Sequence, residues 1–218
     1  MLRSPPGGLA MRRERFAWVL VLLLVVGAVG SADAQQAKRV PREYLAGIVD
    51  DNPNPLPRSL DPSERGLPLP SPAPWPELAP PTGAVWTPPE YAVNQGLLIS
   101  WGSFNAVLTE MTVGITTGDP DAIVYIVVTG PSQQASATAI LQGAGADLGQ
   151  VEFITYTTNT VWIRDYGPRF ISVDGQRAIV DHTYNRPRPL DDAFPDFLSA
   201  LWGEPQYDLP LTHGGGNF

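Results

Sequence analysis

The sequence predicts an α/β chain, and three observations carry that expectation. Short, nearly continuous apolar runs alternate with stretches whose apolar residues recur at helical spacing. The order of the runs is strand, helix, strand, helix, strand, then a hairpin, a helix and a strand, which is not the pattern of an all-β chain. Asp174-Gly175 sits between two strand-like runs, where a tight turn with positive φ is expected.

Each element follows from its own residues. Gly96 to Trp101 reads as a buried strand, and Phe104 to Thr116 as a helix through Val107, Leu108, Met111 and Ile115. Ile123 to Thr129 is a second buried strand. Pro131-Ser132 opens a helix over Gln133 to Gly145, and Val151 to Tyr156 is a third strand. Arg169 to Val173 and Arg177 to His182 form the hairpin around Asp174-Gly175. Leu190 to Trp202 is expected to be one helix, with Asp191 and Asp192 favouring its N-terminal end. Gln206 to Leu209 is a short closing strand. There is no short-period repeat, but a longer unit of strands plus one helix recurs.

Ahead of these elements lie two segments of different character. Arg12, Arg13 and Arg15 precede an apolar run from Phe16 to Gly30, and Ala32-Asp33-Ala34 supplies a small-x-small pattern. Residues 1–34 therefore read as a secretory signal peptide, with cleavage expected after Ala34 and export to the periplasm or beyond. The run is short for a membrane span, and no cysteine follows to carry a lipid anchor. Residues 35–82 are an arm rich in proline, including Pro53, Pro55, Pro57, Pro68, Pro70 and Pro72. Proline fixes its own φ and biases its predecessor toward extended backbone, so this arm is expected to be a semi-rigid linker outside the core. The folded domain is expected to span 83–218.

Composition narrows the chemistry. The formal charge is -8, and removing residues 1–34 takes four arginines and two acids, leaving -10. Such a chain repels nucleic acid and anionic membrane and attracts cationic ligands. There is no cysteine, so neither disulfides nor a thiol nucleophile arise from these 218 residues. Two histidines, His182 and His213, are too few for a convincing zinc centre, and no metal or other cofactor is expected.

Three segments carry candidate chemistry. In Trp162-Ile163-Arg164-Asp165-Tyr166-Gly167-Pro168, a strand end is expected to run into a turn punctuated by Gly167-Pro168. A carboxylate beside an aromatic ring suits a flat guanidinium, which the acid pairs and the ring stacks upon. The alternative is that Asp165 caps the turn and Trp162 is core. In Tyr184-Asn185-Arg186-Pro187-Arg188-Pro189, extended backbone puts Arg186 and Arg188 on one side, where two planar forks can clamp a carboxylate or phosphate. The alternative is an internal cluster with Asp191 and Asp192. His213-Gly214-Gly215-Gly216 is either a structural turn or the oxyanion loop of a serine hydrolase, which would need a downstream G-x-S-x-G.

Taken together, these residues resemble a known family. Trp162 to Pro168 is similar to the W-x-R-D-x-G-P signature of the agmatine deiminase and bacterial Porphyromonas-type peptidylarginine deiminase family. Pro89-Glu90 through Gly96–Trp101 resembles its opening strand, Tyr184 to Pro189 with Asp191-Asp192 its secreted peptidylarginine branch, and Gly215-Gly216-Asn217-Phe218 a following turn. The likeness runs from about Pro88 to the last residue. It implies a partial pentein, an α/β-propeller of repeated strand-helix modules, truncated at the C-terminus with about two modules present. It also implies hydrolytic deimination, in which a thiolate attacks the guanidinium carbon, ammonia leaves and water releases a ureido product. Carried onto this chain, Asp165 is the catalytic, guanidinium-binding carboxylate and Trp162 lines the pocket. Arg186 and Arg188 grip the carboxylate of a C-terminal arginine, which favours an arginine peptide over agmatine. The family's histidine and cysteine fall beyond Phe218, so the chain alone is expected to be inactive. Two other readings stand beside this one, a non-catalytic guanidinium- or peptide-binding remnant and the serine hydrolase.

Overall fold

The computed structural model describes residues 37–72, 79–89 and 91–216. The expected signal peptide lies outside them, as do Asn217 and Phe218 of the expected turn. Among the described residues no helix is long and apolar enough to cross a membrane.

Three strands, β2 (Gly96–Ser100), β3 (Ile123–Val128) and β4 (Val151–Thr155), form a parallel sheet in that order. Their connections are α2 (Asn105–Gly118) and α3 (Pro131–Ala144), so this part is a pair of strand-helix-strand units. The continuous apolar run Ile-Val-Tyr-Ile-Val-Val of β3 has a physical reason: both of its faces are covered. Val124, Ile126 and Val128 pack with Ile99, Trp101, Ala137 and Leu141 under the two helices. Val127, and Tyr125 beside it, point the other way, into a cluster with Ile154, Tyr166, Ile179, Tyr184, Phe194 and Leu198.

That second cluster belongs to a mixed four-stranded sheet of β1 (Val85–Trp86), β5 (Arg169–Val173), β6 (Gln176–Tyr184) and β7 (Gln206–His213). The hairpin between β5 and β6 forms as expected, with Asp174 at φ +51° and Gly175 at +85°. Strand β7 is longer than Gln206 to Leu209 and runs parallel to β6, with an irregularity between His182 and Thr183. The α/β class is therefore present, in two sheets.

Two expectations are corrected. The single helix over Leu190 to Trp202 is split into α5 (Pro189–Asp192) and α6 (Phe194–Trp202), because Pro195 has no N–H to continue the ladder across Ala193. The strand end and turn expected over Trp162 to Pro168 are instead a short helix, α4 (Ile163–Tyr166), ended by Gly167 and Pro168.

The segment before the domain packs onto it. Helix α1 (Arg42–Ala46) follows Val40, which is buried with Val113 and Ala144, and Tyr44 Oη donates to the Ile140 carbonyl at 2.8 Å. Asp50 caps α2, accepting from Phe104 N at 2.9 Å and Asn105 N at 2.7 Å. Further along, Asp61-Pro62-Ser63-Glu64 closes a capping box around a short 3₁₀ turn.

Candidate active site

Helix α4 is too short to hold a shape by itself. Its anchor is Tyr166, which is buried and donates from Oη to the Thr160 carbonyl at 2.6 Å. Thr160 is held in turn by Asp191, whose carboxylate accepts from Thr160 Oγ1 at 2.7 Å, Thr160 N at 3.1 Å and Asn159 N at 2.7 Å. Asp191 is fully buried, and burial pushes its carboxyl up to about 6 against the pull of those donors. Asp192 accepts from Tyr184 N at 2.6 Å, which ties α5 to the end of β6.

With Tyr166 turned into the core, Asp165 faces a cleft of about 510 Å³. The cleft is lined by Asp165, Arg58, Asn185, Arg186, His213 and the glycines that follow it. Burial raises the Asp165 carboxyl, and the cations of Arg58, Arg186, Arg188 and Arg169 oppose that shift. The Arg58 Nε stands 3.9 Å from Asp165 Oδ2. The floor of the cleft is the glycine-rich turn. Gly215 has φ +50°, and a side chain there would run into the Asp165 carbonyl. Arg169 Nη2 donates to the Gly215 carbonyl, which fixes the turn to β5. His182 and His213 stack at 4.0 Å beside it. Burial, the His213 ring and the Arg169 cation push His182 down to about 4.

Arg186 reaches the cleft from the loop after β6. Its Nε donates to the Arg58 carbonyl at 3.2 Å, and its Nη1 donates to the Asn185 carbonyl and to Asn185 Oδ1 at 2.9 and 2.7 Å. An acid and a guanidinium thus line one concavity, an arrangement matched to a ligand carrying both a guanidinium and a carbonyl or carboxylate.

A model of the Porphyromonas-type peptidyl-arginine deiminases matches residues 87–218. The chain belongs to that family. Among solved structures it is similar to the agmatine deiminase of C. jejuni, at 22% identity and a TM-score of 0.49, covering 61% of this chain and 42% of that one. It is also similar to the agmatine deiminase of Enterococcus faecalis, at 19% identity and a TM-score of 0.47, covering 57% and 38%. The chain spans about two-fifths of the length of these structures.

Within this deiminase-family chain the residues singled out from sequence are not all placed alike. Asp165 and Arg186 share the cleft. Trp162 does not line it. Its ring lies 5.8 Å from Phe104 over a neighbouring apolar hollow, and its Nε1 donates to the Leu56 carbonyl at 2.8 Å. Arg188 corrects the expected two-fork clamp. It is 1% exposed and donates to Glu64 from Nε at 2.7 Å and Nη2 at 3.0 Å, and from Nη2 to the carbonyls of Pro57 and Ser59. The loop is not extended between the two arginines, since Arg188 N donates to the Arg186 carbonyl at 2.8 Å, so the pair does not project together. The proposed oxyanion role of the glycines has little room, because Gly215 N donates to His213 Nδ1 at 3.0 Å and Gly216 N to the Gly214 carbonyl.

Arg58, Glu64, Thr160, Tyr166 and Asp191 did not stand out in the sequence as parts of a site. A signal existed for Glu64, since Asp61-Pro62-Ser63-Glu64 has capping-box spacing with proline at the first helical position. For Arg58 the only local hint was a cation inside a proline-rich, extended arm.

Proposed function

We propose that this chain forms the guanidinium-binding part of an exported deiminase that converts arginine-type side chains to the ureido product citrulline and ammonia. The observation that carries this reading is the single cleft in which the Asp165 carboxylate and the Arg186 fork face one ligand volume. Asp165 pairs with the guanidinium and holds its carbon for attack. Arg186 holds the carbonyl or carboxylate end of the same residue, which favours peptidyl-arginine over agmatine, a molecule with no such group. Family membership supports the reaction class, and the run from Met11 to Ala34 supports export.

In this reading the thiolate and the proton-transfer histidine come from residues outside these 218, which contain no cysteine. The 218 residues alone then bind without turnover, and further strand-helix modules complete a pentein around the cleft. The test is release of citrulline and ammonia by the protein that carries this chain, with arginine peptides and agmatine compared. Asp165→Asn is expected to lower kcat/KM by about a thousandfold, since a buried charge partner is worth several kcal/mol. Near-normal kcat/KM in that variant would overturn the assignment.

A further inference from the structure

The two cleft residues assigned to substrate, Asp165 and Arg186, both meet Arg58 of the chain's own arm, while Trp162 and Arg188, which lie outside the cleft, hold its neighbours. Trp162 Nε1 donates to the Leu56 carbonyl at 2.8 Å. Arg188 Nη2 donates to the carbonyls of Pro57 at 2.7 Å and Ser59 at 3.2 Å. Arg186 Nε donates to the Arg58 carbonyl at 3.2 Å, and the Arg58 guanidinium stands 3.9 Å from the Asp165 carboxylate. Four consecutive carbonyls around Arg58 are thus held in place, and Arg58 itself meets, with its carbonyl and its guanidinium, the two residues Arg186 and Asp165 that the proposed function gives to an arginine peptide. Residues 56–59 also precede the segment that matches the deiminase family, so this occupant is not part of the family's own pattern.

We propose that Leu56-Pro57-Arg58-Ser59 is an internal peptide ligand of the cleft, a pseudosubstrate held in cis. The inference rests on the proposed function and deepens it, because the ligand class it names is an arginine within a polypeptide, preceded by proline and read through main-chain carbonyls. Two features divide the labour. The Arg188–Glu64 pair is buried and clamps the arm. The Arg58 side chain is 65% exposed and lies at the mouth, so its guanidinium can leave while the clamp stays closed. A tethered group of this kind competes at the millimolar effective concentrations typical of short links. Incoming guanidinium groups must therefore displace Arg58 before they reach Asp165.

The experiment is equilibrium binding of agmatine to the full chain by titration calorimetry, for the unsubstituted chain, Arg58→Ala and Asp165→Asn. Agmatine probes the guanidinium position alone. Arg58→Ala is expected to tighten its Kd by roughly three- to fivefold, the range for losing one exposed competing ion pair. Asp165→Asn is expected to weaken it at least tenfold. In parallel, amide hydrogen exchange in Leu56 to Glu64 is followed on adding the capped peptide acetyl-Pro-Arg-Ser-amide, and faster exchange is expected as the arm is displaced. If Asp165→Asn weakens agmatine but Arg58→Ala leaves Kd unchanged and the peptide leaves exchange unchanged, the pseudosubstrate is overturned and the cleft stands. If Asp165→Asn changes nothing, the cleft assignment itself fails.

Discussion

Gly215 shows how one residue can set a site without a side chain. Its φ of +50° is a conformation that side chains rarely adopt, and its missing Cβ is what lets the turn lie against the Asp165 main chain. Gly215→Ala is expected to destabilise the chain by about 1–3 kcal/mol, through strain and the forced retreat of α4. It should weaken agmatine binding in the same variant, because Asp165 moves with α4. Urea unfolding and the agmatine Kd measure the two effects, and loss of stability with an unchanged Kd would separate the turn from the site. The glycine run was plain in the sequence, and so was Asp165. Their contact was not, because the two lie about fifty residues apart in the chain and local periodicity carries no information about pairs at that separation.

Among the elements, the arm differs most from its sequence reading. Proline density marks the arm, whose described residues carry α1 and a 3₁₀ turn but no strand, and it could not show where the segment lies. Its later part is docked by a buried ion pair, Glu64 with Arg188, and both partners sit in stretches that read as loop. Removing one partner leaves the other charged and desolvated, so Glu64→Ala is expected to cost about 3 kcal/mol of stability. The paired replacement Glu64→Met with Arg188→Met is expected to cost much less, since it removes both charges and keeps the volume. Thermal and urea unfolding of the three variants decide it, and equal losses in single and double variants would show that the pair does not couple. The parallel strands and their helices were legible because covered strands must be apolar throughout and helices must carry a stripe. The break at Ala193 was less so, because proline in the first turn of α6 leaves the amphipathic pattern of Leu190 to Trp202 uninterrupted.

At the scale of the whole molecule, part of the acidic balance is gathered at the mixed sheet. Asp181 on β6, Asp208 on β7 and Asp196 on α6 bring carboxylate oxygens within 4.8 Å of one another. Burial first, then Asp196, Asp192 and Asp208, push Asp181 up to about 8, although the His182 N–H donates to it at 2.8 Å. A carboxyl whose folded pKa is raised favours the folded state while it is protonated. That contribution is complete below the ordinary carboxylate value and is lost as pH climbs toward 8. His182 has the opposite sign. Its folded pKa, down at about 4, means that stability is lost as pH falls from 6.5 toward 4. Below 6.5 the two groups oppose each other, but between 6.5 and 8 the unfolded-state histidine sheds its remaining charge and Asp181 increasingly acts without it. Thermal unfolding is therefore expected to drop by about 2–4 °C over that interval, which corresponds to about 1 kcal/mol for a chain of this size. Asp181→Asn should abolish the drop and raise the midpoint at pH 8, because the amide keeps the acceptor for His182 N without the charge. His182→Gln should leave the drop in place while flattening the acid limb. A midpoint equally insensitive to pH in the unsubstituted chain and in Asp181→Asn would mean that the carboxylate cluster is already solvated enough to hold its charges apart.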